Sequence, residues 1–194
     1  MPYRKKKIFS VVAILLIVFF GGCSFQNSPD KVVKDYCVEI LKNGKVYDKM
    51  LEDFYSQNRM SRDFTLTNSQ IRHFTVACIE RMKKCYIQTE IVSSDSNESK
   101  VKVTVECVNL NSLDKYVNLK DEVERRVKNI NDREQLESVA VDVLIEFIPQ
   151  VPIEGVRSFT VECIYDQKQR IWKLKYPDVV LNAFISNVMQ GAHL

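Results

Sequence analysis

The chain has 194 residues, with 28 Lys and Arg against 25 Asp and Glu, a formal charge of +3. Four of the basic residues and none of the acidic ones fall in residues 1–22, so the other 172 residues carry 24 basic and 25 acidic side chains, and the compositional ground for nucleic-acid binding goes with the leader. What remains, with charged residues at 27% and ample Val, Ile, Leu and Phe, suits one domain with a hydrophobic core and excludes global disorder.

The first element is a leader. Arg4, Lys5, Lys6 and Lys7 form a positive segment, and residues 8–20 follow with only Ser10 polar. Thirteen residues are fewer than the roughly 20 that a helix needs to cross a bilayer core, but they match the apolar region of a signal peptide. The segment ends in Phe20-Gly21-Gly22-Cys23, small residues ahead of a cysteine. This resembles the lipobox of bacterial lipoproteins, with Phe20 where Leu, Val or Ile is commonest. The resemblance implies that residues 1–22 are removed, that Cys23 is diacylated as the new N-terminus, and that residues 23–29 are the lipidated tether. The other readings are an ordinary secretory leader with an incidental Cys23, or an uncleaved anchor.

The mature chain opens with helical spacing. Asp30 can cap a helix from Lys31 on which Val32, Val33, Tyr36, Cys37, Ile40 and Leu41 share a stripe, stopped by Asn43-Gly44. Residues 46–55 make a second helix with Met50, Leu51 and Phe54 inward, followed by a polar loop over 56–63. Thr67 or Asn68 can cap a third, on which Ile71, Phe74, Cys78, Met82 and Cys85 recur every three or four residues. Alternation then predicts a hairpin, with strands over 86–93 and 100–110 about a turn at 95–98. Residues 112–147 read as a long helix with a break near Asn131-Asp132. Tyr116, Val123, Val127 and Ile130 mark its buried side before the break, and Leu136, Val139, Val143 and Phe147 after it. Asp121–Arg125, Glu122–Arg126 and Glu124–Lys128 are acid-to-base pairs four apart, worth about 0.2–0.5 kcal/mol each on a solvated face. Pro149, Pro152 and Gly155 predict a loop, residues 157–165 and 170–176 a second hairpin, and 179–188 a last helix.

Four strands in two antiparallel hairpins, with helices on one face and a long helix inserted between, define an α+β domain over residues 30–190. The segment Lys42-Asn43-Gly44-Lys45-Val46-Tyr47-Asp48-Lys49-Met50 after an opening amphipathic helix, with paired strands ending in Trp172-Lys173-Leu174, resembles the cone-shaped nuclear transport factor two (cystatin-like) superfamily. Within it the likeness is to small Gram-positive lipoproteins that carry a domain of unknown function.

Outside Cys23 five cysteines remain, and an odd number leaves at least one thiol free. Cys78 and Cys85, seven apart on one helix, would be about 10 Å apart, beyond bridging distance. Cys107 and Cys163 sit in the similar strand segments Thr104-Val105-Glu106-Cys107 and Thr160-Val161-Glu162-Cys163 and could face one another as a disulfide. All five lie on apolar stripes, so buried free thiols are the main expectation. No CxxC is present, and His73 and His193 stand away from any paired cysteine, so no metal site is expected.

The resemblance implies one test. Its enzymes use an acid, a base and a tyrosine projecting into the cone, where desolvation moves pKa values toward neutrality. The inward parity here supplies Ile87, Thr89, Ile91, Val101, Val103, Val105 and Cys107, then Phe159, Val161, Cys163, Tyr165, Trp172, Leu174 and Tyr176, without Asp, Glu or His. Glu106 and Glu162 would turn inward only if the register slipped by one residue. There is no Gly-rich phosphate loop, GxSxG or HExxH. Phe159, Tyr165, Trp172 and Tyr176 either line a small apolar pocket or fill the core beneath the helices. The expectation is a non-enzymatic lipoprotein without a cofactor, anchored by the Cys23 diacylglycerol and facing outside the cytoplasm. It would serve as a binding or interaction module for an envelope protein, or alternatively as a carrier or sensor of a small apolar ligand.

Overall fold

A computed structural model describes residues 27–60, 66–115, 118–128 and 132–190 of the chain. The leader, Cys23, Tyr116, Ile130 and His193, all of which enter the sequence expectations, lie outside the described residues. Helix α1 spans Pro29–Lys42, α2 Lys45–Met60 and α3 Asn68–Met82. Strand β1 is Ile87–Ser94 and β2 Glu98–Asn109; a 3-10 turn at Leu110–Lys115 leads to α4, Leu119–Val127, and α5, Arg133–Phe147. After a second 3-10 turn, Ile148–Gln150, come β3 (Ile153–Asp166), β4 (Ile171–Leu174), α6 (Pro177–Val188) and the two-residue β5, Met189–Gln190.

The α+β architecture is the one expected from the sequence. The sheet runs β1-β2-β3-β4 with every neighbour in that path antiparallel, and β5 adds a short parallel pairing to β2 at Val108 and Asn109. Its inner face is set by strict alternation. Val101, Val103 and Val105 of β2 are fully buried, and Ile91, Thr89 and Ile87 oppose them from β1. From β3, Val161, Phe159 and Arg157 take the other side of the same three rows. Helix α1 crosses β1, β2 and β4, and α6 packs on β2 and β3. Helix α2 lies against α1 and α3, α5 against α3, and α4 against α5. The inserted helices therefore join the stack through α3.

Local chemistry explains the boundaries. Helix α1 starts two residues earlier than Asp30 capping predicts: Pro29 takes the first helical position, where its missing N–H costs nothing, and Ser28 precedes it in extended conformation. Gly44 at φ +83 supplies the left-handed turn that separates α1 from α2. Thr67 caps α3 in a full capping box: its hydroxyl accepts from the Gln70 N–H, and the Gln70 side chain accepts from the Thr67 N–H. Helix α3 ends at Met82, so Cys85 is buried from the following turn and not from the helix. Asp95 closes the first hairpin by accepting the N–H groups of Asn97 and Glu98, each at 2.8 Å.

Two expectations are corrected. The stretch 112–147 opens as a 3-10 turn, with α4 and α5 on either side of the break read near Asn131-Asp132. Against the expected buried side of its first half, α4 buries none of its described residues, Val123 and Val127 included, while α5 buries Val141 and Val143. Six charged residues among the nine of Leu119–Val127 leave α4 too little apolar surface for more than a glancing contact. The loop expected around Gly155 is instead the start of β3, made possible by a bulge. The β2–β3 register shifts between Glu106 and Val108, and Gly155 takes φ +81 beside Cys107. A Cβ on Gly155 would stand 3.3 Å from the Cys107 sulfur, so glycine serves both the backbone conformation and the close approach.

Candidate functional site

The sheet register decides the cysteine question. Cys163 pairs opposite Ser99, whereas Cys107 lies at the Gly155 bulge, eight residues further along β2. At about 3.3 Å per residue that separation is far outside disulfide reach, so the alternative of a Cys107–Cys163 bridge is corrected. All five described cysteines are buried free thiols. Burial pushes the Cys37 thiol up to about 12 and those of Cys85 and Cys163 to about 11, and it raises Cys78 as well. At neutral pH these groups stay protonated and behave as small hydrophobes rather than as nucleophiles. Cys107 also donates its S–H to the Glu154 carbonyl at 3.0 Å.

The four aromatic residues named as a possible pocket are dispersed. Tyr165 and Trp172 face each other across β3 and β4, ring centroids 5.3 Å apart. Phe159 and Trp172 pack against the core, Phe159 opposite Val103. Tyr176 is exposed past the end of β4, with the Lys175 ammonium 5.6 Å from its ring centre. Of the three cavities considered below, none is lined by any of the four. Glu106 and Glu162 lie on the outer parity. Glu106 accepts from the Tyr86 N–H at 2.8 Å, and Glu162 stands 3.3 Å from Lys175.

One cavity, of about 200 Å³, sits at the hairpin end of the sheet between Ser93, Asp95, Glu98, Lys100 and Lys175. Lys175 bridges Glu98 and Glu162 across its mouth, each at 3.3 Å, so the charges there answer one another. A second, of about 470 Å³, opens between the start of α3 and α5 and gathers Ser69, His73, Ser138, Asp142 and Glu146. These are residue types of hydrolytic sites, but their bonds are spent on packing. The buried Gln70 amide donates to the Ser138 carbonyl, the Ser138 hydroxyl and Asp142, at 3.0–3.2 Å. Among the described residues His73 makes no hydrogen bond to either Ser138 or Asp142, so no nucleophile–base pair is assembled. The cleft ties α3 to α5. No group of three or more His, Cys, Asp or Glu side chains converges on a metal position among the described residues.

The third cavity differs in kind. It is a recess of about 380 Å³ at the edge where α1 meets β1, floored by Val38, Leu41, Cys85 and Ile87, with Tyr86 at its side. Its rim holds three cations, Lys34 and Lys42 from α1 and Lys83 from the turn after α3, and no carboxylate lines it. Among the described residues Lys34 and Lys42 have no ion-pair partner, while Lys83 pairs with Glu80 at 2.6 Å. Tyr86 leaves 62% of its surface exposed, a large aromatic side chain held out into solvent. An apolar floor beneath convergent cations suits an amphipathic anion. Reading α1 for its buried stripe alone missed this site. The signal was there in Lys31, Lys34, Val38 and Lys42, spaced three, four and four apart on one flank of the helix. What that flank faces is β1, fifty residues away in sequence.

No family model matches the chain, and no curated protein matches it. Among solved structures it is similar to a candidate lipoprotein (ycdA) from Bacillus subtilis subsp. subtilis str. 168, at 20% identity and a TM-score of 0.51. The match covers 63% of this chain and 38% of that one, so it spans well under half the length of the neighbour. The likeness is one of fold.

Proposed function

We propose that this chain is a membrane-anchored lipoprotein facing outside the cytoplasm, tethered through a diacylglycerol on Cys23 and acting as a non-enzymatic binding module at the bacterial cell envelope. The observation that carries the binding role is the apolar, lysine-rimmed recess between α1 and β1. The anchor rests on the Arg4–Lys7 cluster, the apolar run of 8–20 and the Gly21-Gly22-Cys23 junction. Similarity of fold to a candidate lipoprotein supports the same reading, and no helix among the described residues is long and apolar enough to cross a membrane. The kinship with the cone-shaped nuclear transport factor two superfamily belongs to this proposal too, resting on the Lys42–Met50 segment and Trp172-Lys173-Leu174.

Two or more acyl chains hold a protein to a bilayer far more firmly than one, whose association constant is only about 10⁴ M⁻¹. The test is intact mass analysis and fractionation of the expressed protein. The mature N-terminus should begin at an acylated Cys23, and a Cys23→Ala variant should lose the acyl mass and leave the membrane fraction. A mature-sized Cys23→Ala band that stays with the membranes would overturn the anchor. The carrier reading draws on the same recess: purified protein that retains a small apolar molecule there would favour transport or sensing over docking.

A further inference from the structure

We propose that the α1–β1 edge is a membrane-docking face, on which Lys34, Lys42 and Lys83 engage the phosphates of anionic phospholipids while the Tyr86 ring sits at headgroup level beside the apolar recess. This rests on the tethered-lipoprotein reading, because the tether is what brings the face to the bilayer.

Three features converge on this edge. First is charge. The lining of the recess carries three lysines and no carboxylate, whereas the outer sheet face alternates signs, Glu90 opposite Lys102 and Lys100 opposite Glu162, and so offers no net attraction. The α3–α5 cleft carries Asp142 and Glu146 and would be repelled by an anionic surface. Around it, Glu80 pairs with Lys83 and Glu106 accepts the Tyr86 N–H, while Asp35 and Glu39 of α1 are not among the residues that line the recess. Second is amphipathicity. Long lysine stems over Val38 and Leu41, with an exposed tyrosine alongside, match side chains that lay an apolar body into an interface and keep a polar tip wet. Third is reach. Pro29 is six steps along the chain from Cys23, which at most about 3.5 Å each limits the start of α1 to roughly 20 Å from an anchored cysteine. Lys34 and Lys42 lie five and thirteen residues into α1, about 8 and 20 Å along the axis. The anchor thus keeps the recess within roughly 40 Å of the acylated cysteine, and each lysine that comes close to an anionic surface adds attraction that decays over a Debye length.

The experiment uses the mature lipidated protein reconstituted into vesicles of pure phosphatidylcholine or of equimolar phosphatidylcholine and phosphatidylglycerol, with amide hydrogen exchange as the readout. The anchor is present in both, so a difference reports the face alone. Exchange at residues 38–42 and 83–87 should slow about tenfold in the anionic vesicles, and the effect should shrink at high salt. The triple variant Lys34→Glu, Lys42→Glu, Lys83→Glu should abolish the slowing while its exchange in phosphatidylcholine stays that of the wild type, which shows an intact fold. Equal exchange in the two vesicle types, slowing that survives the triple variant, or slowing centred on another face would each overturn the proposal. Failure of the anchor reading looks different, since the protein would then lack an acyl mass and would not incorporate into either vesicle.

Discussion

The two faces of the sheet are built from the same strands and differ in everything that follows from burial. Along β2, Val101, Val103 and Val105 have no exposed surface, while Lys102 between them is open to solvent on the far side. The inner face collects Phe74, Phe184, Ile40 and Ile71 from the helices above it. Among the described residues no helix covers the outer face, which leaves Val92, Val156 and Ile164 exposed among paired charges. A period of two residues thus puts the stability of the domain on one side, and solubility and contact on the other. The lesson is that polarity alone does not mark the interesting surface. The outer face is charged but self-compensating, and the recess at the α1–β1 edge is where unmatched charge meets apolar surface.

The contrast can be tested by how much each side matters to stability. On the inner side, Phe184→Ala removes a side chain that is 1% exposed beneath α6 and should cost about 3–5 kcal/mol in denaturant unfolding. A loss under about 1 kcal/mol would mean that α6 is not docked on the sheet as described.

The buried thiols give a second and smaller effect, dependent on pH. Cys37, at about 12 in the folded state, and Cys85 and Cys163, at about 11, ionise later than an ordinary thiol because burial disfavours the thiolate. In the unfolded chain they ionise near pH 8.5, so above that pH the folded state binds more protons than the unfolded one, and stability must fall as pH rises. The contribution is fully present below about pH 8 and declines from there to about pH 11 for Cys85 and Cys163 and about pH 12 for Cys37, with a slope approaching 1.4 kcal/mol per pH unit for each thiol involved. Unfolding curves between pH 7 and 10, compared with those of a Cys37→Ala variant, check this; a pH-independent midpoint would contradict the burial.

The smallest effect belongs to the outer face. Lys102→Ala should shift stability by less than about 0.5 kcal/mol, since the residue is exposed and faces Glu90 across a solvated pair of strands. A loss comparable with that of Phe184→Ala would show that the outer face is covered in the native protein and would erase the distinction between the two sides.

Much of this was legible in the chain itself, because the relevant physics is local. Period-two alternation assigned Val101, Val103 and Val105 to one face, helical spacing placed Val33, Cys37, Ile40 and Leu41 inward, and Thr67 with Gln70 marked the start of α3. The proposed leader and its Cys23 rest on composition and order alone. Contacts between distant segments were not legible. The α4–α5 tie is one case: Glu122 was expected to meet Arg126 and does, but Arg126 also grips Glu146 on α5 with two hydrogen bonds, and Glu122 is held at about 2 by Arg125 and Arg126. The Gly155 bulge is another, since a glycine after two prolines signals a loop until the neighbouring strand supplies Cys107 against it. The Cys107–Cys163 pairing failed for the same reason: two alike tetrapeptides say which way each side chain points and nothing about the offset between the strands.

By itself, then, the sequence determined the α+β class and the inward parity of the strands, each a matter of residues within a few positions of one another. Only the tertiary structure decided which cysteines are neighbours, that the aromatic residues are dispersed, and that Lys34, Lys42 and Lys83 converge over Val38 and Ile87. Spacing along a chain fixes the face a side chain takes, but the register and packing that bring two faces together depend on contacts between residues far apart in sequence, which no local pattern encodes.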